Sequence, residues 1–454
     1  MQEVFDFLSI MFIKSSFLTI FIIILLGTTT INAQSFDIYH KDILLKDYNY
    51  QNSQETSKSI YLMEDIKSVK ITHNANELLD PIIQLNSSET LKISFDILGD
   101  EVHSYAYTFI HCDYQWNQSS IMQPDYLEGF FNNYINNYEY SFNTMTPYIY
   151  YTFTFPNEDI RFTKSGNYVL LIYNDDTKAP IITKRFMIYE DILNIDMNVK
   201  KATLAKDFNT KHEIDFSIYN YKQLNIIDPH HDLQIIIQKN DDWNDIITKC
   251  KPNFISNEVL DYDYQGQLSF LGGSEYHDFD IKSLRYYGKN IKSITENVLN
   301  KKTIHQVELY EDKIYDGLEY IFKYDLNGKY IISTTENKNK NTEADYSLVK
   351  FTLKSPSLLD GNIYIYGELT NWDFLPNAQM IYDEKNKEYH GSLLVKQGYY
   401  NYQYILKNDS KKKFINGNYH ETRNQYSIYA YYSPQWLDYS RLVGVAKSTS
   451  NKLN

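Results

Sequence analysis

The feature that most constrains this chain is a repeated alternation of apolar and polar residues over short runs. The segments "LKISFDIL" (91–98) and "YIYYTFTF" (148–155) alternate with a period of two. That is the period at which a β-strand turns one row of side chains towards a core. Runs of helical period are missing after the N-terminal segment, and "NIKSITENVL" (290–299) predicts at most a short helix. The pattern therefore predicts an all-β protein.

The strand-like runs fall into three regions that together predict tandem β-sandwiches. About seven short strands before residue 190 fit an immunoglobulin-like sandwich, because turn-forming stretches such as "NDDTKAP" separate them. In the middle region, Asn327-Gly328 is a strong hairpin signal. The polar stretch "TENKNKNTEADY" (335–346) predicts a linker to the third region. The resulting prediction is tandem immunoglobulin-like domains after a cleaved signal peptide: 1–33 signal peptide, 34–190, 191–340 and 341–444 domains, and a polar tail, 445–454.

The N-terminus has the pattern of a secretory signal peptide. A lysine precedes the short apolar run "FLTIFIIILLG", and small residues follow in "TTTINAQ". This arrangement predicts cleavage between Ala33 and Gln34. Two acidic residues near the start do not suit a signal peptide, so the pattern favours Met11 over Met1 as the true start.

The net charge opposes a nucleic-acid partner, and the two cysteines indicate neither a disulfide nor a metal site. The formal net charge of −14 opposes nucleic-acid binding, which needs clustered Lys and Arg. The two cysteines, Cys112 and Cys250, lie far apart in the sequence and are expected to be two buried thiols rather than a disulfide. They form no metal-binding motif.

Searches for catalytic chemistry return little. The chain has no G-x-S-x-G elbow, phosphate-binding glycine loop or H-E-x-x-H motif. "DPHHDL" (228–233) and "YHDFDI" (276–281) contain His and Asp, but neighbouring residues on a strand point to opposite faces and rarely share one metal. We therefore expect no catalytic residue, no metal site and no cofactor, and predict that the protein is not an enzyme.

One tryptophan gives an alternative reading. "YGELTNWDF" (366–374) resembles the strand-turn-Trp signature of glycogen- and starch-binding sandwich modules, in which a Trp stacks on a sugar. Trp372 is therefore a candidate sugar or partner contact, and a carbohydrate-binding multidomain sandwich is the alternative function. The commoner use of such a hairpin is structural, and we expect the Trp372 ring to pack against its own domain.

Several long phrases, in order, resemble the type IX secretion system plug protein family. They include "YSFNTMTPYIYYTFTFPNEDIRFTKSGNYVLLIYNDDTKAPIITKRFMIYE", "DFDIKSLRYYG", "EADYSLVKFTL", "YIYGELTNW" and the final "YSRLVG". The resemblance implies a periplasmic, non-enzymatic protein, associated with the outer membrane, that closes the periplasmic mouth of a translocon. Its implied partner is a large outer-membrane translocon barrel protein. The resemblance implies neither a nucleic-acid partner nor a membrane segment in the mature chain.

Overall fold

The alternating runs fold as strands in the computed structural model, which describes residues 65–299, 302–314, 319–408 and 411–450. The predicted signal peptide, its cleavage site at Ala33 and Gln34, and the choice between Met1 and Met11 lie outside the described residues. The described part is rich in strands, with only two short α-helices, α1 (Gln123–Tyr126) and α2 (Pro229–Asp232), and three 3₁₀ turns, Tyr221–Leu224, Glu368–Thr370 and Pro376–Ala378. The all-β prediction is confirmed.

The first region forms a two-layer sandwich. Its sheets run in the orders β1-β3-β8-β7 and β2-β11-β10-β4-β6, and a small sheet pairs β5 with β9. Apolar side chains on the facing sides, among them Phe95, Phe109 and Phe186, fill one buried core. The strands are β1 (Ile66–His73), β2 (Ile82–Gln84), β3 (Leu91–Leu98), β4 (Tyr105–Cys112), β5 (Leu127–Gly129), β6 (Asn133–Tyr134), β7 (Tyr138–Tyr140), β8 (Tyr148–Phe155), β9 (Ile160–Phe162), β10 (Gly166–Asn174) and β11 (Pro180–Tyr189).

Residues 194–271 supply seven strands. They are β12 (Asn194–Lys201), β13 (Lys211–Tyr219), β14 (Leu233–Lys239), β15 (Asp242–Ile247), β16 (Phe254–Ile255), β17 (Val259–Tyr262) and β18 (Ser269–Leu271). The sheet of β12, β13, β17 and β16, with β18 beside β13, packs one face of a second core.

The remaining strands complete a third core and also return to the second. They are β19 (His277–Asp280), β20 (Ile291–Leu299), β21 (Lys302–Leu309), β22 (Asp312–Lys313), β23 (Tyr330–Ile332), β24 (Tyr346–Lys354), β25 (Asn362–Tyr366), β26 (Ile381–Asp383), β27 (Glu388–Lys396), β28 (Gly398–Asn408), β29 (Lys411–Phe414), β30 (Gln425–Tyr432) and β31 (Arg441–Thr449).

Three sheets combine strands from both sides of residue 340, one of them through the pairing of β21 with β24. The sheet β15-β14-β30-β31 covers the second core, and β28 pairs with β19 and β23 in the third. The second core therefore draws on residues 193–270 and 426–443, while the third lies between residues 279 and 415. The domain boundaries at 190 and 340 stay predictions about independently folding units.

The expectations for residues 290–299 and 335–346 are wrong. Residues 290–299 do not form a short helix: β20 pairs antiparallel with β21 from Ile291 to Leu299, and its β-branched residues suit that pairing. Residues 335–346 are not a free linker. The Thr342 carbonyl accepts a 2.9 Å hydrogen bond from the Phe142 N–H, so the polar stretch is fixed against the first sandwich.

Candidate functional site: an aromatic edge and a buried ionic junction

A row of exposed aromatic side chains lies on one side of the first sandwich. Phe130 is 65% exposed, Tyr134 61% and Phe142 62%, although large aromatic side chains usually bury most of their surface. We call the set the aromatic edge, and it comprises Phe130, Phe131, Tyr134, Tyr138, Tyr140 and Phe142. Isolated exposed apolar residues need no explanation, but six within one short segment indicate a contact surface.

The aromatic edge lies where both sheets of the first sandwich end. Strand β6 is the last strand of one sheet and β7 is the last strand of the other, within the described residues. The chain crosses between them in three residues, 135–137, held by a 2.9 Å hydrogen bond from the Ile135 N–H to the Tyr105 carbonyl. The two sheet edges and their aromatic side chains therefore belong to the same side of the domain.

The backbone beneath the aromatic edge is fixed. The Thr108 hydroxyl donates to the Phe131 carbonyl at 2.7 Å, and the Tyr138 ring lies 5.8 Å from the buried Tyr151 ring. Gly129 precedes Phe130 with φ of +107°, and a Cβ there would meet the Asp159 carbonyl oxygen at 1.9 Å. Only glycine fits that turn without displacing the neighbouring chain.

A cluster of charges around the buried Asp80 brings together segments next to all three cores, and we call it the ionic junction: Asp80, Asp241, Lys329 and the exposed Lys447. The Lys329 Nζ lies 2.8 Å from Asp80 Oδ1 and 2.5 Å from Asp241 Oδ2, and the Lys447 ammonium pairs with Asp80. Because these residues come from distant parts of the sequence, the cluster fixes how the three cores meet.

Burial sets the protonation of the ionic junction. Burial and the adjacent charge of Asp80 raise the pKa of Asp241 to about 7. Burial alone would also raise the pKa of Asp80, but Lys329 and Lys447 hold it well below its usual range. The two carboxyl groups share their cations unequally, as expected for like charges at one site.

A second buried ion pair joins the first and third cores. The Lys396 ammonium donates to Asp96 Oδ2 at 2.7 Å, and the two side chains are 2% and 1% exposed. The same oxygen accepts from the Tyr346 hydroxyl at 2.6 Å, while Lys396 also donates to the Asn341 carbonyl at 2.7 Å and lies 4.1 Å from the Tyr148 ring centroid. The Lys396 ammonium is therefore enclosed by hydrogen-bonding and aromatic partners, whereas Asp96 Oδ1 is buried without a hydrogen-bond partner among the described residues.

Trp372 packs within the chain. Its ring centroid lies 5.8 Å from that of Tyr366 and 6.2 Å from that of Tyr276, both in edge-to-face geometry. The hairpin predicted at Asn327-Gly328 is not formed: the two residues make a turn with positive φ at both, but residues 319–326 before it contain no strand, and β23 after it pairs with β28. A Cβ on Gly328 would lie 2.3 Å from the Trp372 ring. A role of Trp372 in binding sugar or a partner stays a prediction.

The other residues that the sequence singled out have local partners. His231 forms a 2.6 Å contact with Asp228 on the exposed turn at α2, and His277 lies 2.9 Å from Asp312. Cys112 and Cys250 are buried and free, which confirms the prediction of two thiols. Burial raises the pKa of Cys250 to about 12 and that of Cys112 further.

Three carboxyl groups from two separate stretches of the sequence also come together. Glu213, Asp215 and Asp263 bring oxygens within 4.8 Å of one another. The Lys200 ammonium lies 3.5 Å from Glu213 and also contacts Asp215, so a cation of the chain already faces this cluster.

A shallow cleft of about 210 Å³ opens beside β2 and β9, lined in part by Glu89, Pro156, Arg161 and Phe162. It is smaller than the clefts that usually hold a small molecule. We assign it no ligand.

Neither the aromatic edge nor the ionic junction was predicted from the sequence. Charge would have indicated the aromatic edge, because the stretch 93–160 has nine Asp and Glu and no Lys or Arg. The ionic junction had no comparable signal, because its members are spread between residues 80 and 447.

Comparison with known proteins identifies the family. A family model described as the type 9 secretion system plug protein 1st domain matches residues 66–190, which end where the first predicted domain ends. A crystal structure of a hypothetical protein from Parabacteroides merdae is 33% identical, with a TM-score of 0.81, covering 86% of this chain and 99% of its own.

Two more distant structures superpose poorly on this chain. The C-terminal domain of the Streptococcus pyogenes antigen I/II-family protein AspA is 7% identical with a TM-score of 0.16, covering 84% of this chain and 98% of its own. Three N-terminal domains of the bacteriophage RB49 outer capsid protein Hoc are 10% identical with a TM-score of 0.14, covering 84% and 96%.

No curated protein sequence matches the chain. Within the described ranges, none of the helices has the length and apolar character needed to span a membrane. The match over the first sandwich and the solved relative that spans most of the chain lead to one conclusion: the chain belongs to the type IX secretion system plug protein family.

Proposed function

We propose that this protein closes the periplasmic mouth of the outer-membrane translocon of the type IX secretion system when no substrate occupies it. The observation that carries the proposal is the match of residues 66–190 to the first domain of the plug family. In this proposal the chain is exported by its signal peptide, cleaved between Ala33 and Gln34, and works in the periplasm at the outer membrane.

The build of the molecule supports a stopper. A pore wide enough for folded proteins must be closed by a rigid protein, and three close-packed β-cores provide that rigidity. The ionic junction holds together segments next to all three cores, and the Asp96–Lys396 pair joins the first core to the third. Relative movement of the cores would separate buried charges at high cost.

A non-enzymatic role is part of the proposal. At two places where the structure brings carboxyl groups together they face lysines of the chain, Asp80 with Lys329 and Glu213 with Lys200. Such pairs hold a fold together without offering a free acid and base to a substrate. The carbohydrate-binding alternative gains no specific support, because the Trp372 ring is engaged with Tyr276 and Tyr366.

The test uses a deletion strain and the uptake of large antibiotics that the outer membrane normally excludes. We expect faster uptake in the deletion strain, and exclusion restored when the translocon gene is deleted as well. A plasmid copy of the wild-type chain should also restore exclusion. Uptake equal to that of the parent strain, with the translocon still present in the membrane, would refute the stopper role.

A further inference from the structure

We propose that the aromatic edge is the surface through which this protein binds the translocon, and that it binds a protein surface rich in Lys and Arg. The inference rests on the proposed function, because it names the part of the chain that makes the contact and the chemistry of what it meets. Three properties of the edge support it: exposure, a fixed backbone and charge.

The exposure of its rings shows that the aromatic edge leaves apolar surface in contact with solvent. Tyr138 and Tyr140 are 42% and 57% exposed on β7, and every residue of that strand faces solvent. Aromatic rings are the side chains most enriched among the residues that dominate protein interfaces. Burying these rings would add apolar contact, and the tyrosine hydroxyls could still form hydrogen bonds at the rim.

A fixed backbone lowers the cost of binding. Gly129, the Thr108–Phe131 hydrogen bond and the Ile135–Tyr105 hydrogen bond hold the segment from below. The chain beyond β7 is held as well, because the Met145 N–H donates to Asp345 Oδ2 at 2.6 Å. A surface ordered before association loses little backbone entropy when a partner arrives.

Charge determines which partner fits. The stretch 93–160 contains nine acidic residues and no Lys or Arg. Asp96 among them is buried against Lys396, whereas Asp125, Glu128, Glu139, Glu158 and Asp159 are exposed, and the Asp159 carbonyl accepts a hydrogen bond from the Phe130 N–H. Glu128 pairs with Arg161, which leaves Glu139 as the exposed acidic group between Tyr138 and Tyr140 along β7, with its side chain on the opposite face of that strand. Lys and Arg of a partner can pair with such carboxylates and also stack on aromatic faces.

The same charge disfavours a lipid surface as the occupant. Proteins that bind anionic membranes surround their aromatic anchors with Lys and Arg. The aromatic edge has the opposite sign, and Lys340 in the adjoining stretch is paired with Glu77. A basic protein surface therefore suits the edge better than phospholipid.

The experiment compares capture of the translocon by three purified chains. The edge variant carries Phe130→Ser, Tyr134→Ser and Tyr140→Ser. The control variant carries three serine substitutions at equally exposed tyrosines elsewhere, Tyr286, Tyr310 and Tyr324. Each chain, tagged and checked for an unchanged melting temperature, is incubated with detergent-solubilised outer membrane, and the recovered translocon is quantified. We expect about a tenfold or greater loss for the edge variant and wild-type recovery for the control.

A charge reversal tests the chemistry separately. Glu139→Lys should lower capture several-fold and Glu296→Lys, at an exposed position on β20, should not. Higher salt should weaken capture by the wild-type chain. If the edge variant loses capture while Glu139→Lys and Glu296→Lys both capture as much translocon as the wild-type chain, the inference of a partner surface rich in Lys and Arg is wrong.

The outcomes separate the two proposals. If the wild-type chain captures no translocon, the proposed function is wrong. If the wild-type chain and the edge variant capture it equally, the docking inference is wrong and the function stands. Flotation with phosphatidylethanolamine–phosphatidylglycerol vesicles is the last arm: binding by the wild-type chain that the edge variant loses would assign the edge to the membrane and overturn the inference.

Discussion

Removing the Lys396 ammonium should strongly destabilise the contact between the first and third cores. Lys396→Met keeps the length of the side chain but leaves Asp96, which is 1% exposed, with only the Tyr346 hydroxyl as its partner on Oδ2. A buried carboxylate that loses its cation typically costs about 3–5 kcal/mol. We therefore expect a loss of that size in the free energy of unfolding.

The reverse change should cost less. In Asp96→Asn, the Lys396 ammonium keeps its 2.7 Å hydrogen bond to the Asn341 carbonyl and its position 4.1 Å from the Tyr148 ring. These contacts still partly balance the buried charge, so we expect a loss of about 1–3 kcal/mol. The double variant carries no buried charge at this site, and its loss should be smaller than the sum of the single losses by about 2 kcal/mol.

Urea unfolding near neutral pH, followed by tryptophan fluorescence and by far-ultraviolet circular dichroism, measures these values. Coincident transitions are required before a single free energy is quoted, because a chain with several cores can unfold in steps. Lys292→Met is a matched control, since Lys292 pairs with Glu308 at the protein surface and its loss should change the free energy of unfolding little. The reasoning fails if Lys396→Met costs no more than this control, or if the two single losses are simply additive.

Three further results are expected. Between about pH 4 and 7 the folded chain keeps a proton on Asp241 that the unfolded chain has released, because the pKa of Asp241 is raised in the fold. The free energy of unfolding should therefore fall as pH rises through this range, by up to about 1.4 kcal/mol per pH unit from this group. Asp241→Asn should flatten the dependence of the urea midpoint on pH over that range, and profiles parallel to the wild type would contradict the assignment. Trp372→Ala should lower the melting temperature, with a loss of about 2 kcal/mol or more, and leave retention on amylose unchanged; loss of retention at unchanged melting would favour the sugar contact. Neither Cys112 nor Cys250 should react with a thiol reagent in the native chain, and both should react in urea; rapid labelling of the native chain would show that the thiols are accessible.

Sequence patterns predicted the strands well where one face is buried and the other is not. The alternating runs at 91–98 and 148–155 became β3 and β8, which pair with each other along their full length. Alternation is a local property, so it can be read without knowing the partner strand. The same locality explains the error at 290–299, where pairing with β21 decides the conformation.

Relations between distant residues were not predictable in the same way. Lys396 and Asp96 are ordinary charged residues in the sequence, and only the meeting of β3 and β27 makes them a buried pair. The aromatic edge could be predicted from the sequence only in part. Its composition is local, but exposed and buried aromatic residues look alike until the sheets show that β6 and β7 are last in their order.

The path of the chain through the second core has a consequence for the order of assembly. Strand β14 pairs with β30 in a register that sets Leu233 opposite Tyr432, and the whole third core is formed by the residues between them. A chain delivered N-terminus first must therefore keep the edge of β14 unpaired until its final strands arrive. Pairings between such distant segments form slowly and leave apolar strands open to aggregation. Escort of the newly delivered chain by a holding chaperone would protect that open edge until β30 and β31 close it.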